Sequence, residues 1–238
     1  ETGNTNIHPR KLDLGDMREI RKFSDTFKRD FENLHVLSNN AAVLPMKKER
    51  TVDGCEKIFG VNYLGHAALT IFLQDILAES APARVLTVSG SPAVLKWAKA
   101  DPDEICTVQH YNPFLRTLRA AAAKAAFSFE LAKRLSGTGV TSNTFHPGLV
   151  KSNLAGDFPL LLQPLIKGAG LFFSDTCKTG IYLALSPEVE GVSGQFFKDS
   201  RPVHFQPRRP LEEWAPQLWN SSMGIISSTV SGAEHTHM

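Results

Sequence analysis

A long amphipathic helix between two β-branched runs is the sequence feature that most constrains the fold. Over residues 111–137, Asn112 can cap a helix, Pro113 suits its first turn and Gly137 can end it. Apolar residues recur at alternating steps of three and four, which predicts one packing face: Leu115, Leu118, Ala122, Ala125, Phe129 and Ala132. A helix of this length beside short strands favours an α/β domain.

Strand-like and helix-like segments alternate along the rest of the chain. The patterns predict strands at residues 84–89 and 139–145 and weaker ones at residues 7–14, 34–37 and 194–197. They predict helices over residues 16–31, where Asp16 and Glu19 form a capping box, and over 56–77, 174–185 and 211–218. This alternation predicts a parallel sheet with helices on both faces and ligands beyond the carboxyl ends of its strands.

Charge and cysteine content exclude several functions. Lys and Arg total 26 against 24 Asp and Glu, so no nucleic-acid partner is expected. The three cysteines, Cys55, Cys106 and Cys177, have neither the number of a disulfide framework nor a metal-ligand spacing. We therefore expect inert thiols, no metal site and an intracellular, reducing compartment.

Length and terminal composition set the expected domain limits. The 238 residues suit one domain over 1–220, followed by a polar tail over 221–238 that is expected to be disordered. The tail histidines, His235 and His237, do not make a metal site. No signal peptide is visible at the amino end.

The most apolar stretch covers residues 158–173, but Gln163, Lys167 and two prolines interrupt it. It is too short to span a bilayer, which needs about 20 apolar residues. Three interpretations stay open for it: a helical lid over the core, an apolar substrate pocket, or contact with a membrane.

Several motifs occur together in a familiar order: Asp13-Leu14, NNAA from Asn39, FGVNYLGH from Phe59, RVLTVS from Arg84 and HPG from His146. In order and spacing they resemble the short-chain dehydrogenases/reductases. The segments ELAKRLSGTGVTSNTFHPGLVKS and SPEVEGVSGQFF resemble the branch of retinol dehydrogenases and WW-domain oxidoreductases. The resemblance implies a Rossmann-like, doubly wound parallel sheet with NAD(P) across the carboxyl ends of its strands.

The resemblance also implies which residues would contact NAD(P). Asp13 with Leu14 would lie at the adenine, Asn39 and Ala41 at the adjacent ribose, and Val61 nearby. Pro147, Gly148 and Val150 would lie at the nicotinamide and Ser152 near the phosphates. The alternative is that these residues only shape turns, since Pro-Gly and Asn-Asn are ordinary loop formers.

Members of this family open with a strand and a glycine-rich turn that binds the pyrophosphate, and neither is present here. Gly168 and Gly170 do not replace that turn, because they lack a third glycine and follow no strand. We therefore expect a sheet that lacks its first strand or strands and exposes apolar edges.

The family's active site uses Asn, Ser, Tyr and Lys, with the Tyr and Lys one helical turn apart. Of these only Asn62 is retained; the other positions hold Gly90, Thr117 and Ala121 in a gap-free register. The tyrosine transfers the proton while hydride moves, and the lysine lowers its pKa. Thr117 cannot ionise usefully near neutral pH, and Ala121 carries no charge.

Relocated groups offer no clear substitute for this set. Lys124 and Tyr111 are interpreted as a solvated helix residue and a packed aromatic, and His66 and His146 as histidines that pack or bond backbone.

Two hypotheses of function follow. The first is a non-catalytic relative, a pseudoenzyme, whose partner is a second copy bound through the helical faces at 56–77 and 113–135. The second is an NAD(P)-dependent oxidoreductase that interconverts an apolar alcohol and carbonyl of retinoid or sterol type. Substrate identity, the choice of NAD or NADP and membrane association stay open.

Overall fold

The computed structural model describes residues 3–148, 150, 174 and 176–234. Among these residues, five strands form one sheet in chain order: Val36–Asn39 (β1), Ala83–Val88 (β2), Val140–Phe145 (β3), Phe196–Lys198 (β4) and Arg201–Val203 (β5). Strands β1 to β4 pair in parallel, and β5 pairs antiparallel with β4. The predicted, mostly parallel sheet is confirmed.

Eight α-helices are described, in this order: Met17–Asp30 (α1), Lys57–Phe59 (α2), Gly65–Phe72 (α3), Gln74–Glu79 (α4), Pro92–Leu95 (α5), Pro113–Arg134 (α6), Lys178–Leu185 (α7) and Leu211–Glu234 (α8). A π-helical turn over Gly60–Leu64 joins α2 to α3. Two 3-10 turns cover Pro102–Glu104 and Pro187–Val189.

The two best-marked helices begin where their capping residues predict. The Asp16 carboxylate accepts from the backbone N–H groups of Arg18 and Glu19 at the start of α1. At the start of α6, Asn112 Oδ1 accepts from the N–H of Leu115 at 3.0 Å. Gly137, three residues after α6 ends, has a φ of +82°, which suits a glycine beyond a helix terminus.

The predicted strand at residues 7–14 is wrong, since these residues form no strand. A strand needs a hydrogen-bonding neighbour, and no strand in the described part of the chain lies beside this segment. Its end forms a turn instead, in which Asp13 Oδ1 accepts from the N–H of Gly15 at 2.7 Å.

Helices cover both faces of the sheet, as a doubly wound fold requires. The larger core cluster joins Val85 of β2 to buried residues of α1, α3, α6 and α8. The smaller cluster lies on the other face and joins Leu86 and Phe145 to Leu183 of α7. Neighbouring strand residues such as Val85 and Leu86 point to opposite faces, so each face has its own apolar layer.

Helix α8 is three times as long as the predicted helix at 211–218, and disorder from residue 221 is wrong for residues up to Glu234. The polarity of the tail is accommodated within the helix. The hydroxyls of Ser222, Ser227 and Thr229 donate to carbonyls four residues earlier. Trp214 and Leu218 are at most 1% exposed, so the helix is anchored in the core.

Helix α8 packs on the faces through which pairing of two copies was predicted. Trp219 stacks on Phe127 of α6 with ring centroids 4.9 Å apart, and the hydroxyls of Tyr63 and Ser222 share a 2.7 Å hydrogen bond. This chain therefore covers part of both faces itself. The homodimer stays a prediction.

The expectation of three inert thiols is also wrong, because Cys55 and Cys106 form a disulfide. The two residues are 51 positions apart, and the backbone N–H of Glu56 donates to the carbonyl of Cys106 at 3.0 Å. This tertiary contact aligns the two segments, which sequence spacing could not reveal. Cys177 is the free cysteine among the described residues.

No helix in the described part of the chain is long and apolar enough to cross a membrane. The apolar stretch at 158–173, Ser152, His235 and His237 lie outside the described residues.

Candidate functional site

The carboxyl ends of three parallel strands define the candidate site. Asn39 of β1 pairs in register with Thr87 of β2, and Thr87 with Thr144 of β3, so the loops that follow these strands begin at one edge of the sheet. Ala41, Gly90 and Pro147 lie in these loops. This is the edge where doubly wound folds bind their ligands.

Asn62 lies in the π-helical turn, a form of helix that occurs often at functional sites. Its side chain is buried and bonded at both polar atoms. Oδ1 accepts from the N–H of Val43 at 2.7 Å, and Nδ2 donates to the carbonyl of Val43 at 2.9 Å. Asn62 therefore fixes the loop after β1 against the helix.

Gly90 and Ala121, the positions that the resemblance assigns to the family's serine and lysine, lie side by side. A Cβ placed on Gly90 would lie 3.7 Å from the Cβ of Ala121. The same Cβ would lie 3.3 Å from Cδ2 of Leu95, whose side chain is fully buried. Leu95 therefore fills the space beside the serine position, and the described residues place no ionisable group between these two positions.

The remaining hydroxyls near these positions do not form a proton-transfer set. Ser89, next to Gly90, donates its hydroxyl to the backbone carbonyl of Ala121 at 2.8 Å, which ties β2 to α6. The Thr117 hydroxyl is buried and has no hydrogen-bond partner among the described residues. An aliphatic hydroxyl without a base beside it cannot exchange a proton efficiently near neutral pH.

Tyr111 does not replace the missing tyrosine. Its hydroxyl donates to the carbonyl of Pro45 at 2.5 Å, before the start of α6. Burial and the nearby carboxylates of Glu56 and Glu49 raise its pKa to about 12. A phenol held in this way is a poor acid.

Lys124 corrects the sequence interpretation most strongly, because it is buried rather than solvated. It lies in the alanine-rich middle of α6, which is covered on nearly all sides. Burial lowers the pKa of its ammonium to about 8. The signal available in the sequence was the position of this lysine within a run of alanines, a helix surface with no polar neighbours.

His66 lies close enough to Lys124 for their charges to interact. Burial first, and then the Lys124 ammonium, lower the pKa of His66 to about 3. The imidazole is therefore neutral near pH 7, and its Nε2 donates to the carbonyl of Ala41 at 2.8 Å. His66 thus bonds backbone, as expected from the sequence, and fixes the residue predicted to lie at the ribose.

Three side chains on the face of the sheet that α3 and α6 cover have buried polar atoms without a partner among the described residues: Asn39 Oδ1, Thr87 Oγ1 and Thr144 Oγ1. They occupy one row of the sheet, since their backbones pair in register. Ser142, two residues before Thr144, bonds Ser128, four residues after Lys124. Helix and strand run in opposite directions here, so the Lys124 turn of α6 lies over this row. The Nδ2 group of Asn39 donates a hydrogen bond to Oγ1 of Thr70 at 2.9 Å.

The residues predicted at the adenine side lie against helix α3. Asp13 is exposed in its turn, and the backbone of Leu14 lies against Gly65. A Cβ at Gly65 would collide with the carbonyl oxygen of Leu14 and lie 3.0 Å from its carbonyl carbon. Only glycine allows this approach, which fixes the Asp13 turn to the helix that follows Asn62. Val61 is buried in the π-helical turn.

The residues predicted at the nicotinamide follow β3. Gly148 has a φ of +80°, and the carbonyl of Pro147 accepts from Cys177 Sγ at 3.7 Å. Val150 forms an isolated parallel bridge with Ser174. His146 is half-buried, and desolvation lowers its pKa. These contacts position the loop after β3 at the same edge as Ala41 and Gly90.

A nicotinamide dinucleotide fits this edge only in part. The described residues provide backbone and side chains at the places implied for adenine, ribose and nicotinamide. They contain no glycine-rich turn between a strand and a helix N-terminus, which is the usual binding site of the pyrophosphate. The structure therefore brings the loops that contain Ala41, Gly90 and Pro147 to one edge of the sheet, and the described residues include no phosphate-binding element there.

A buried ion pair next to the site was missed from the sequence. Arg116 precedes Thr117, and its Nε lies 2.8 Å from Oε2 of Glu56. Its guanidinium also donates to the carbonyl of Glu104 at 3.0 Å and lies over the Phe59 ring at 4.3 Å. Glu56 caps α2 through the N–H groups of Ile58 and Phe59. A Glu directly before an apolar helix was the signal that could have indicated a capping role.

Comparison with known proteins identifies the family of this chain. The family model of short chain dehydrogenases matches residues 1–100. Human retinol dehydrogenase 14 is 40% identical over 91% of this chain, which spans 66% of that protein. Human retinol dehydrogenase 12 is 35% identical over 95% of this chain and 72% of its own length.

A solved structure is also similar. The crystal structure of an uncharacterized protein from Mycobacterium paratuberculosis has a TM-score of 0.65 and 25% identity over 92% of this chain and 75% of its own. With the strand order, the Asn62 turn and the Gly90–Ala121 pair in place, the sequence identity decides the assignment: this chain belongs to the short-chain dehydrogenase/reductase family, in its retinol-dehydrogenase-like branch.

Proposed function

We propose that this chain is a non-catalytic short-chain dehydrogenase/reductase, a pseudoenzyme that keeps the family scaffold without its proton-transfer groups. One observation carries the proposal: Gly90 and Ala121 adjoin each other, and the buried side chain of Leu95 fills the neighbouring space. A hydroxyl and an ammonium are absent at these positions, and a hydrocarbon lies beside them.

The chemistry of the family explains why this matters. Hydride transfer to a carbonyl leaves an alkoxide that must be protonated as it forms, and an acid or base in position contributes typically about 10²–10⁴-fold. Thr117 has no ionisable group, and Asn62 is occupied by Val43. Since residues that act as a unit have strongly non-additive effects, the joint loss of Ser, Tyr and Lys removes most of this advantage.

A nicotinamide cofactor is part of the proposal as a ligand rather than as a reactant. When bound to a competent family member it supplies or accepts a hydride. In this chain the loops at Ala41, Pro147 and Gly148 would contact its ribose and nicotinamide, and Asp13 its adenine. The described residues alone are expected to bind it weakly, because they include no backbone donors of the kind that normally hold the pyrophosphate.

The alternative function is an NAD(P)-dependent oxidoreductase for an apolar alcohol or carbonyl. The names of the relatives, retinol dehydrogenases 14 and 12, favour a retinoid as the compound to test. Lys124 is the observation in its favour. A pKa of about 8 makes its amine partly neutral near physiological pH, and it lies one turn beyond Ala121 on the same helix.

Cofactor binding and turnover separate the two functions. Binding of NADPH and NADH is measured by calorimetry, and reduction of all-trans-retinal by NADPH absorbance and product chromatography, with human retinol dehydrogenase 12 as the active control. The pseudoenzyme predicts no retinol above the level without protein. Turnover that is lost in Lys124→Met would support the alternative and reject the proposal.

A second variant tests the register on which the proposal depends. The quadruple variant Gly90→Ser, Leu95→Ala, Thr117→Tyr and Ala121→Lys restores the family's groups and removes the obstructing side chain. If a longer chain that carries a glycine-rich turn binds NADPH, we expect turnover from this variant and none from its unsubstituted parent. Equal turnover by both would contradict the proposal.

A further inference from the structure

The Cys55–Cys106 disulfide connects two segments that lead into the candidate site. Cys55 is buried and directly precedes Glu56, the cap of α2. Glu56 lies six residues before Asn62. Cys106 is only half-buried and lies in the loop that leads from α5 to α6. The bridge therefore joins the helix with the retained Asn62 to the loop before the helix with Thr117.

Non-covalent contacts join the same two segments. The N–H of Glu56 donates to the carbonyl of Cys106 at 3.0 Å. Arg116 bonds the Glu56 carboxylate at 2.8 Å on one side and the Glu104 carbonyl at 3.0 Å on the other. Lys48 adds a 2.7 Å bond to the carbonyl of Val108. These contacts do not involve the disulfide, so we expect its reduction to loosen residues 101–111 without unfolding the sheet.

We propose that Cys55 and Cys106 form a reversible thiol–disulfide site that controls how firmly residues 101–111 are held against α2 and the first turn of α6. The co-reactant is a dithiol in one direction and a small-molecule disulfide in the other. This inference concerns the scaffold and stands whether or not the chain is an enzyme.

The exchange is chemically balanced. A thiolate of the dithiol attacks Sγ of Cys106, the less buried sulfur, the Cys55–Cys106 bond breaks and Cys55 leaves as a thiolate. The second thiol of the reductant then displaces Cys106 from the mixed disulfide. The protein gains two electrons and two protons, and the reductant becomes a disulfide.

Two properties of the pair suit this role. Cys106 is partly exposed, whereas Cys55 is 3% exposed, so attack on Sγ of Cys106 is favoured. Arg116 contacts the residue after Cys55 and the residue two positions before Cys106, so a movement of either cysteine reaches α6 through one guanidinium.

The test uses the full chain equilibrated in buffers of reduced and oxidised dithiothreitol in graded ratio, quenched in acid, and alkylated after unfolding. Mass spectrometry should find one labelled cysteine, Cys177, in the oxidised protein and all three in the reduced protein. Amide exchange is measured in parallel. On reduction we expect roughly tenfold faster exchange over residues 101–111 and no change in β2 and β3.

Matched variants separate the bridge from general effects of cysteine chemistry. Cys106→Ser should show the fast exchange at 101–111 in every buffer, and Cys177→Ser should respond to the buffers as the parent does. If Cys55→Ser does not fold because that site is buried, Cys106→Ser carries the test alone. The proposal is overturned if all three cysteines label under oxidising conditions, or if exchange at 101–111 is equal in the two states.

Discussion

The Nε atom of Arg116 lies 2.8 Å from Oε2 of Glu56, and both side chains are at most 2% exposed. This ion pair joins the first turn of α6 to the cap of α2. It therefore fixes the relative position of the two helices that carry Thr117 and Asn62.

Removing one member of this pair should be costly. Arg116→Ala leaves the Glu56 carboxylate buried without its countercharge, and we expect a loss of about 3–5 kcal/mol in the free energy of unfolding, measured by urea titration. Arg119→Ala is the control, because its partner Glu104 is 40% exposed, and it should cost at most about 1 kcal/mol. Equal losses in the two variants would contradict the importance of burial here.

Asn62 should matter for the loop after β1 even without catalysis. Asn62→Ala removes both hydrogen bonds to Val43, and we expect a loss of about 1–3 kcal/mol with faster amide exchange at 40–44. Asn62→Asp keeps an acceptor for the N–H of Val43, but it replaces the N–H donor to the Val43 carbonyl with a carboxylate oxygen that repels it. A stable Asn62→Ala protein with unchanged exchange would show that the loop is held by other contacts.

Gly90 and Leu95 should be energetically coupled. Gly90→Ser alone crowds Leu95 Cδ2, which a Cβ would approach to 3.3 Å, and Leu95→Ala alone leaves a cavity that typically costs about 2–5 kcal/mol. In the double variant the serine occupies part of this cavity. A double-mutant cycle by urea unfolding should give a favourable coupling of at least about 0.5 kcal/mol. Strict additivity would mean that the two sites do not meet.

Helix α8 should be a large contributor to stability. Trp219→Ala removes the stack on Phe127 and the contact between the indole and the Arg134 guanidinium, which lies 4.5 Å from the ring centroid. We therefore expect a loss of about 3–5 kcal/mol in the free energy of unfolding. Trp97→Ala is the matched control, since its ring is 58% exposed, and should cost far less. Light scattering of both proteins also tests the pairing prediction: a dimer stable in the parent and absent in Trp219→Ala would indicate that α8 supports the interface rather than covers it.

Lys124 predicts a specific pH dependence of stability. Burial lowers its pKa from 10.5 to about 8, so between these pH values the unfolded chain holds a proton that the folded chain has released. The unfolded state then binds more protons, and the free energy of unfolding rises with pH across this window. Lys124→Met should flatten the rise and raise stability at pH 7. An unchanged slope from pH 8 to 10 would place the titration elsewhere.

Elements with local signals could be predicted from the sequence. Helices α1 and α6 begin at Asp16 and Asn112 because capping depends on neighbours within four residues. Strands β2 and β3 have β-branched runs of their own. Residues 7–14, which give a weaker strand prediction, form no strand, since pairing depends on a partner that local sequence does not specify.

The surroundings of the candidate site could not be predicted from the sequence. The motifs assign family positions to Gly90 and Ala121, whereas the contacts of Leu95 and Lys124 and the Cys55–Cys106 bridge depend on the tertiary fold. The length of α8 was missed for a different reason. Its serines and threonines suggest a loop, and only in the helix do their hydroxyls find carbonyls one turn back.

The contact between Gly65 and Leu14 couples the position of the Asp13 turn to that of helix α3. Because the carbonyl of Leu14 lies where any side chain at 65 would be, the Asp13 turn cannot move closer to the helix that follows Asn62 without displacing it. The methyl group introduced by Gly65→Ala should collide with the Leu14 carbonyl and displace the Asp13 turn from helix α3.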